Sequence, residues 1–283
     1  MPVDAKHKDK SERATDSGEE VSQGSTGTLN DTERVLVVEK EEGLTWFKLN
    51  RPKVMNCLNR PLLKAIVEAC EEAAADRSTR VIAIIGSGSK TFCAGADLTE
   101  RKGMTPAETL DYLSLIQKTM RTIETMPQPV IAAINGSAYG GGTELALACD
   151  LRVMVEEAVL RLTEVKLGII PGAGGTQRLP RLIGKSKAKE MILTGSPITA
   201  QHGYNLGLVH RLVPKSTTDG EEFNTALVQE VRAWATEIAG KERLFKRFYA
   251  ILRIDSEERL DALRVRQHHH VIVMSSRDHL THK

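Results

Sequence analysis

The sequence predicts an α/β fold whose strands are covered on both faces, and three observations carry that prediction. Short all-apolar runs recur, Val-Ile-Ala-Ile-Ile at 81–85 and Val-Ile-Ala-Ala-Ile at 130–134. Stretches with helical periodicity alternate with them, and clusters of Gly or Pro mark the junctions. Strands of this composition need apolar cover on both sides, and helices recurring between strands supply it.

The elements follow in order. Residues 35–39 and 44–49 are rich in β-formers and flank Glu41-Glu42-Gly43, which predicts a hairpin. After Asn50-Arg51-Pro52, Leu62, Leu63, Ile66, Val67, Cys70 and Ala74 share one helical face. A buried strand is expected at 80–86. Thr105-Pro106-Ala107-Glu108 is a capping box with Pro at the first helical position, opening a helix that stops near 126, before Pro127 and Pro129. A strand at 130–134, a helix from Gly140-Gly141-Gly142 through 149, and strands at 151–155 and 159–162 come next. A Gly-rich turn at 171–175 leads into further helix, and from 221 onward the pattern is helical. The chain therefore divides into a tail (1–33), a core (34–220) and a helical appendage (221–283). The tail is polar, lacks aromatics and should be disordered. It holds Asp4, Asp9, Glu12, Asp16, Glu19 and Glu20, unlike an Arg-rich, acid-poor mitochondrial transit peptide.

Composition narrows the functional classes. With 283 residues and 41 % hydrophobic content, the chain can bury a substantial core. Aromatics make up only 4 %, and 39 basic residues face 37 acidic ones, so neither base stacking nor a polyanionic partner is favoured. Cys57, Cys70, Cys93 and Cys149 form no C-x-x-C pair, which argues against structural zinc and a disulfide framework and for an intracellular protein. No apolar run approaches the ~20 residues of a membrane helix. Adjacent side chains on a helix point about 100° apart, so His268-His269-His270 cannot all face one metal ion, and no metal site is expected.

Three stretches suit chemistry: Phe92-Cys93-Ala94-Gly95-Ala96-Asp97-Leu98, the segment Asn135 to Leu145 with its glycine triplet, and Thr163-Glu164 followed by Pro171-Gly172-Ala173-Gly174-Gly175-Thr176. Glycines between a strand and a helix let a ligand reach the backbone, and the first helical N–H groups are unpaired at the positive end of the dipole. An oxygen gaining negative charge would be stabilised there, by ~3 kcal/mol for one preorganised donor. The N–H of Ala96 could supply a second donor. Glu144 falls in the first turn after the glycines, and Glu164 follows a strand and precedes a Gly-Pro loop. Adding water to a carbon–carbon double bond needs a base for the water and an acid for the adjacent carbon, which two carboxylates provide. Each feature alone has a plainer explanation: a Glu in a first turn complements the dipole, and a Glu after a strand is a solvated charge. A dinucleotide fingerprint fails because Gln177 stands where its third Gly should be, and no Gly-Lys-Ser/Thr P-loop occurs.

From about Val35 to beyond Arg266 the chain resembles the crotonase (enoyl-CoA hydratase/isomerase) superfamily. The resemblance rests on Asn50-Arg51-Pro52, Ala94-Gly95-Ala96-Asp97-Leu98, Gly140-Gly141-Gly142 and Pro171-Gly172-Ala173-Gly174-Gly175-Thr176-Gln177-Arg178-Leu179. It implies an α/β spiral of ββα turns with a C-terminal helical trimerisation region, and assembly as trimers or dimers of trimers. It also implies Glu144 and Glu164 as hydratase acids and the Ala96 and Gly141 N–H groups as the oxyanion hole. Cys57, Ala94, Asp97, Leu98, Thr99, Gly142, Pro171 and Gly172 become CoA or substrate contacts by the same resemblance. No cofactor is implied beyond the CoA carried by the substrate. Relatives lacking one or both acids tend toward isomerase, hydrolase or dehalogenase chemistry, so keeping both favours hydration. Either acid can be the base for water at this stage.

Asp97-Leu98-Thr99-Glu100-Arg101 and Lys166-Leu167-Gly168-Ile169-Ile170-Pro171 look like the 3-methylglutaconyl-CoA hydratase branch, some of whose members bind AU-rich RNA. A terminal carboxylate on the substrate would call for a cation, with Arg101 and Lys102 as candidates. RNA contact is poorly matched, since the relevant helix carries Lys64 but also Glu68, Glu71 and Glu72. Two departures from the family stand out. Thr99 replaces a Lys that meets CoA phosphates in many relatives, leaving Lys53 or Arg101 as substitutes, and the family's final helix is expected to be missing after Ser276-Arg277-Asp278. A catalytically weak scaffold, an RNA-binding relative and an enoyl-CoA isomerase are the rival readings. The family leans mitochondrial; the acidic tail leaves a cytoplasmic address open.

Overall fold

The computed structural model describes residues 34–214 and 225–240. The expected disorder of 1–33, the helical reading at 221–224 and past 240, the histidine run and the family's final helix lie outside those residues.

The hairpin forms as expected: β1 (Leu36–Lys40) and β2 (Leu44–Leu49) pair antiparallel, with Leu36 opposite Leu49. Asn59 then caps α1 (Arg60–Ala75), accepting from the Leu62 N–H, with Pro61 in the first turn. The helix buries Leu62, Leu63, Ile66, Val67, Cys70 and also Ala73, while Ala74 is exposed. The expected face was one residue off at its end: Ala73, three positions after Cys70, stays on the inner stripe.

The chain next repeats a unit. β3 (Val81–Gly86) leads to β4 (Thr91–Cys93), followed by the short α2 (Leu98–Arg101) and the long α3 (Pro106–Glu124). β5 (Val130–Ile134) leads to β6 (Ser137–Tyr139) and α4 (Gly141–Ala148). β7 (Leu151–Val155) leads to β8 (Val159–Arg161), then α5 (Gly175–Ile183) and α6 (Lys185–Thr194). β9 (Ile198–Thr199), α7 (Ala200–Asn205), β10 (Arg211–Val213) and α8 (Thr225–Ala239) complete the described elements. In each repeat the first strand joins one sheet, ordered β1-β2-β3-β5-β7-β10, and the second joins another, ordered β4-β6-β8-β9. The result is a spiral of ββα turns, as the resemblance implied. Strands β2 to β10 of the large sheet run parallel, and every residue of β3 and β5 is buried.

Sequence patterning missed most of the small sheet. Its strands span only two or three residues, too short for periodicity to register. Both halves of the capping box at Thr105 and Glu108 are present, and α3 lays Tyr112, Leu113, Ile116, Met120 and Ile123 inward, packing against α1. Within the described part of the C-terminal region, α8 buries Leu227, Val231 and Ala235 against the large sheet. Among the described residues all four cysteines are free, and no helix is long and apolar enough to cross a membrane.

Arg152 on β7 is 1 % exposed and locks α4 in place. Its guanidinium donates to the carbonyls of Ala146 (3.1 Å), Cys149 (2.8 Å), Asp150 (3.2 Å) and Leu208 (2.6 Å). Two of these are at the C-terminal end of α4, where carbonyls lack intrahelical partners and a cation complements the dipole. Replacing Arg152 with Met strands these acceptors in the core, and urea unfolding should show a loss of about 3 kcal/mol. A loss below ~1 kcal/mol would mean that the carbonyls find other donors.

Candidate active site

The site starts where β6 passes into α4. Gly140 has φ 49° and ψ −123°, a conformation open to glycine, and its N–H donates to the Arg161 carbonyl at 2.8 Å. Two residues on, a Cβ on Gly142 would lie 2.0 Å from the Cys93 carbonyl oxygen, so only glycine permits this approach of α4 to the loop after β4. Glu144 follows in the first turn of the helix.

The loop after β4 is pinned from its other side. Leu58 and Ala96 form a parallel bridge: the Leu58 N–H donates to Gly95 (2.8 Å) and the Asp97 N–H to Leu58 (3.0 Å). In that pattern the N–H of Ala96 itself points away from Leu58. It meets the start of α4, where a Cβ built on Gly141 would sit 3.5 Å from the Ala96 nitrogen. Gly141 is the first residue of α4, so its N–H has no intrahelical partner. Two donors expected from sequence are thus brought side by side. Arg51, from the Asn-Arg-Pro motif, holds the loop by donating to the Cys57 carbonyl and pairing with Asp97 at 2.9 Å.

Glu144 and Glu164 line one cleft with these backbone groups. The cleft is walled by Ala94, Leu98 and Arg101, by Tyr112, Leu113 and Ile116 of α3, and by Leu167 to Ala173 in part. Glu144 is 2 % exposed, and its Oε1 accepts from the N–H groups of Ala173 (2.9 Å) and Gly175 (2.7 Å). A Cβ on Gly175 would lie 3.0 Å from that oxygen, so a side chain there would press Glu144 out of place by a few tenths of an ångström. Arg178 stands behind, donating to the Ala173 carbonyl (2.8 Å) and pairing with Glu124 (2.9 Å). Glu164 opens a 3₁₀ turn, Glu164–Leu167, and is 8 % exposed, with Oε2 buried and lacking a hydrogen-bond partner among the described residues.

Burial raises the proton affinity of both carboxyls, but the opposing forces differ. At Glu144 desolvation is countered by the Gly175 and Ala173 N–H groups and by Arg178. At Glu164 desolvation and then the charge of Glu144 push the same way, up to about 8. The two backbone donors favour the charged form of Glu144, whereas Glu164 has a carboxyl oxygen without a hydrogen-bond partner among the described residues.

Of the other sequence candidates, Ala94, Leu98 and Gly172 line the cleft with Ala96 and Gly141. Gly142 sits behind the wall, shaping it by its lack of a side chain, and Pro171, next to Gly172 in sequence, is buried and does not line the cleft. Asp97 engages Arg51 and caps α2 through the Thr99 and Glu100 N–H groups, while the Cys57 carbonyl is held by Arg51. Thr99 and Lys53 are exposed outside the cleft. Sequence reasoning missed Tyr112, Leu113 and Ile116, which show only as part of an amphipathic helix, and the Ala173 and Gly175 N–H groups that hold Glu144. The close glycine spacing of 172–175 was the available signal for the latter.

Comparison with known proteins identifies the family. The family model described as enoyl-CoA hydratase/isomerase matches residues 39–279. A crotonyl-CoA hydratase of Syntrophomonas wolfei is 42 % identical over 74 % of this chain and 77 % of its own length. The human protein named enoyl-CoA hydratase domain-containing protein 2, mitochondrial, is 41 % identical over 70 % of this chain and 66 % of its own. A crystal structure of an enoyl-CoA hydratase from Bacillus anthracis superposes with a TM-score of 0.71 at 41 % identity, covering 84 % of this chain and 91 % of that one.

The raised affinity of Glu164 has a consequence for stability. Between the ordinary carboxyl value of 4.5 and about 8, the folded protein keeps a proton that the unfolded chain has released. Stability should therefore fall with rising pH across that window, and the penalty should be complete above it. Thermal melts from pH 5 to 9 should show a shallower decline for Glu164→Gln than for wild type; parallel declines would place the proton elsewhere.

Proposed function

The chain belongs to the enoyl-CoA hydratase/isomerase family, and from that premise we propose that it hydrates 2-enoyl-CoA thioesters using Glu144 and Glu164 around one water. The observation carrying this reading is that two buried carboxyls line one cleft with the Ala96 and Gly141 backbone, Glu144 accepting two N–H groups while Glu164 has an oxygen without a hydrogen-bond partner among the described residues. A charged Glu144 beside a protonated Glu164 is the state that addition of water requires.

The thioester oxygen lies between the N–H groups of Ala96 and Gly141, which stabilise it as negative charge moves onto it from the double bond. Water adds its oxygen to the β-carbon and gives a proton to Glu144. Glu164 delivers its proton to the α-carbon as the enolate collapses. Transfer of the proton from Glu144 back to Glu164 resets the pair, so one water supplies both the hydroxyl and the hydrogen. Ala94, Leu98 and Gly172, as cleft residues, contact the acyl-thioester portion. Trimeric assembly and a mitochondrial address come with the family resemblance, the human relative's name supporting the latter. Size-exclusion chromatography with light scattering and imaging of the tagged full chain test those two points.

Loss of the conjugated enoyl-thioester absorbance with crotonyl-CoA tests the reaction. Glu144→Gln and Glu164→Gln should each lower kcat by roughly 10²- to 10⁴-fold while the fold persists. In heavy-oxygen water the product should acquire solvent oxygen; a product without it indicates double-bond migration instead. A folded wild type that is silent on both crotonyl-CoA and 3-methylglutaconyl-CoA, the branch-specific substrate, overturns the hydratase reading.

The acid's state also sets a pH limit. Because the reaction needs Glu164 protonated, kcat/KM for hydration should fall as pH rises through about 8. A profile flat to pH 10 would assign the proton delivery to another group.

A further inference from the structure

The loop 172–175 cradles Glu144, and each of its peptide units is held from both sides. One side faces the carboxylate. The Ala173 and Gly175 N–H groups donate to Oε1, and the Gly174 N–H between them also favours its charge. The other side faces donors. Gln117 of α3 donates from Nε2 to the Gly172 carbonyl at 2.8 Å, and that carbonyl shares a peptide with the Ala173 N–H. Arg178 donates from Nη1 to the Ala173 carbonyl at 2.8 Å, which shares a peptide with the Gly174 N–H. The Gly174 carbonyl, paired with the Gly175 N–H, accepts from the Gln177 and Arg178 N–H groups that open α5, both at 2.9 Å. Every peptide from Gly172 to Gly175 thus has a donor at its oxygen and turns its hydrogen toward Glu144.

The last of these arrangements comes with any helix start, whereas the first two depend on side chains from outside the turn. Gln117 and Glu124 stand about two turns apart on α3, and Glu124 fixes Arg178 by pairing with its Nη2 at 2.9 Å. Arg178 is buried, and a Cβ on Gly174 would lie 2.1 Å from its Nη1, so the glycine leaves the space that the guanidinium takes. A donor on a carbonyl polarises the peptide and strengthens the hydrogen bond that its N–H makes. It also holds the peptide plane, since a flip would break the bond at each end. We propose that Gln117 and Arg178 are positioning residues for Glu144, each acting through one peptide unit to keep its carboxylate charged and fixed at the cleft wall. Neither side chain lines the cleft, so any effect on turnover passes through Glu144. The inference rests on the reading of Glu144 as the base and names what prepares it.

Gln117→Leu tests this, because it removes the donor at a half-buried position without removing a charge. Two readouts are followed on the full chain. One is the pH profile of kcat/KM with crotonyl-CoA; the other is a carbon-13 NMR titration of the Glu144 carboxyl, assigned by its loss in Glu144→Gln. The charged groups facing Glu144 are Arg178 of α5, with its partner Glu124 of α3, and Glu164 from the turn after β8. None of them is altered in Gln117→Leu. Weaker N–H donors raise the proton affinity of Glu144, so the acid limb and the titration should both move to higher pH by about 0.5 to 1 pH unit. In the same variant kcat should fall by about 3- to 10-fold, with KM changed by less than about twofold. Arg178→Met should move both readouts further, since a charge is lost as well, and Arg178→Lys should recover part of the change. A limb and a titration that stay in place in Gln117→Leu, with only the melting temperature lowered, overturn the proposal. That variant decides the matter if Arg178→Met does not fold. A wild type silent on crotonyl-CoA whose titration still moves in Gln117→Leu removes the hydratase reading and leaves the hold on Glu144 standing.

Discussion

The structure depends most on how closely the start of α4 is pressed against the loop after β4. At Gly142 the contact leaves no room for a methyl group, and the Cys93 carbonyl occupies that space. This contact sets the Ala96 and Gly141 N–H groups side by side and places Glu144 one turn further along the helix. Both partners in the contact are anchored from behind. Arg152 gathers the carbonyls at the far end of α4, and Arg51 ties the loop through Cys57 and Asp97. Flexible glycines become a rigid frame because rigid, charge-assisted contacts surround them.

The same frame separates the behaviour of two chemically identical side chains. Glu144 is buried more deeply than Glu164, yet it receives two backbone donors and a nearby guanidinium. Glu164 receives less, and the charge on Glu144 adds to its desolvation. Proton affinity therefore diverges through neighbours rather than through residue type. Holding an unpaired carboxyl oxygen of Glu164 in the interior works against stability, which is the usual relation between reactive groups and their folds.

Four arginines illustrate how one residue type is used in different ways. Arg51, Arg152 and Arg178 donate to backbone carbonyls and fix loops or helix ends. In each case the planar fork satisfies acceptors that no other element reaches. Arg101 lies over an aromatic face, its Nε and Nη2 have no acceptor among the described residues, and it lines the cleft rather than the frame. The contrast in partners, more than the shared charge, separates the three structural guanidiniums from the one that lines the cleft.

The sequence by itself determined five of the six strands of the large sheet and most of the helices that cover it, and it singled out the two carboxylates. Apolar runs such as 81–85, the capping box at Thr105 and the glycine triplet are local signals, and each acts over a few residues. The repeat of strand, strand and helix was legible only through family resemblance, because the second strands are too short to show a period. Tertiary structure alone decided that Ala96 faces Gly141, since that follows from a bridge to Leu58 thirty-odd residues away in sequence. It alone decided which acid receives backbone donors, because the Ala173 and Gly175 N–H groups reach Glu144 from a distant loop. It also separated Arg101 from Lys102, adjacent cations that sequence treats alike. Local patterns fix elements because their energetics are local, whereas proton affinity and ligand access depend on burial and on partners that only folding brings near.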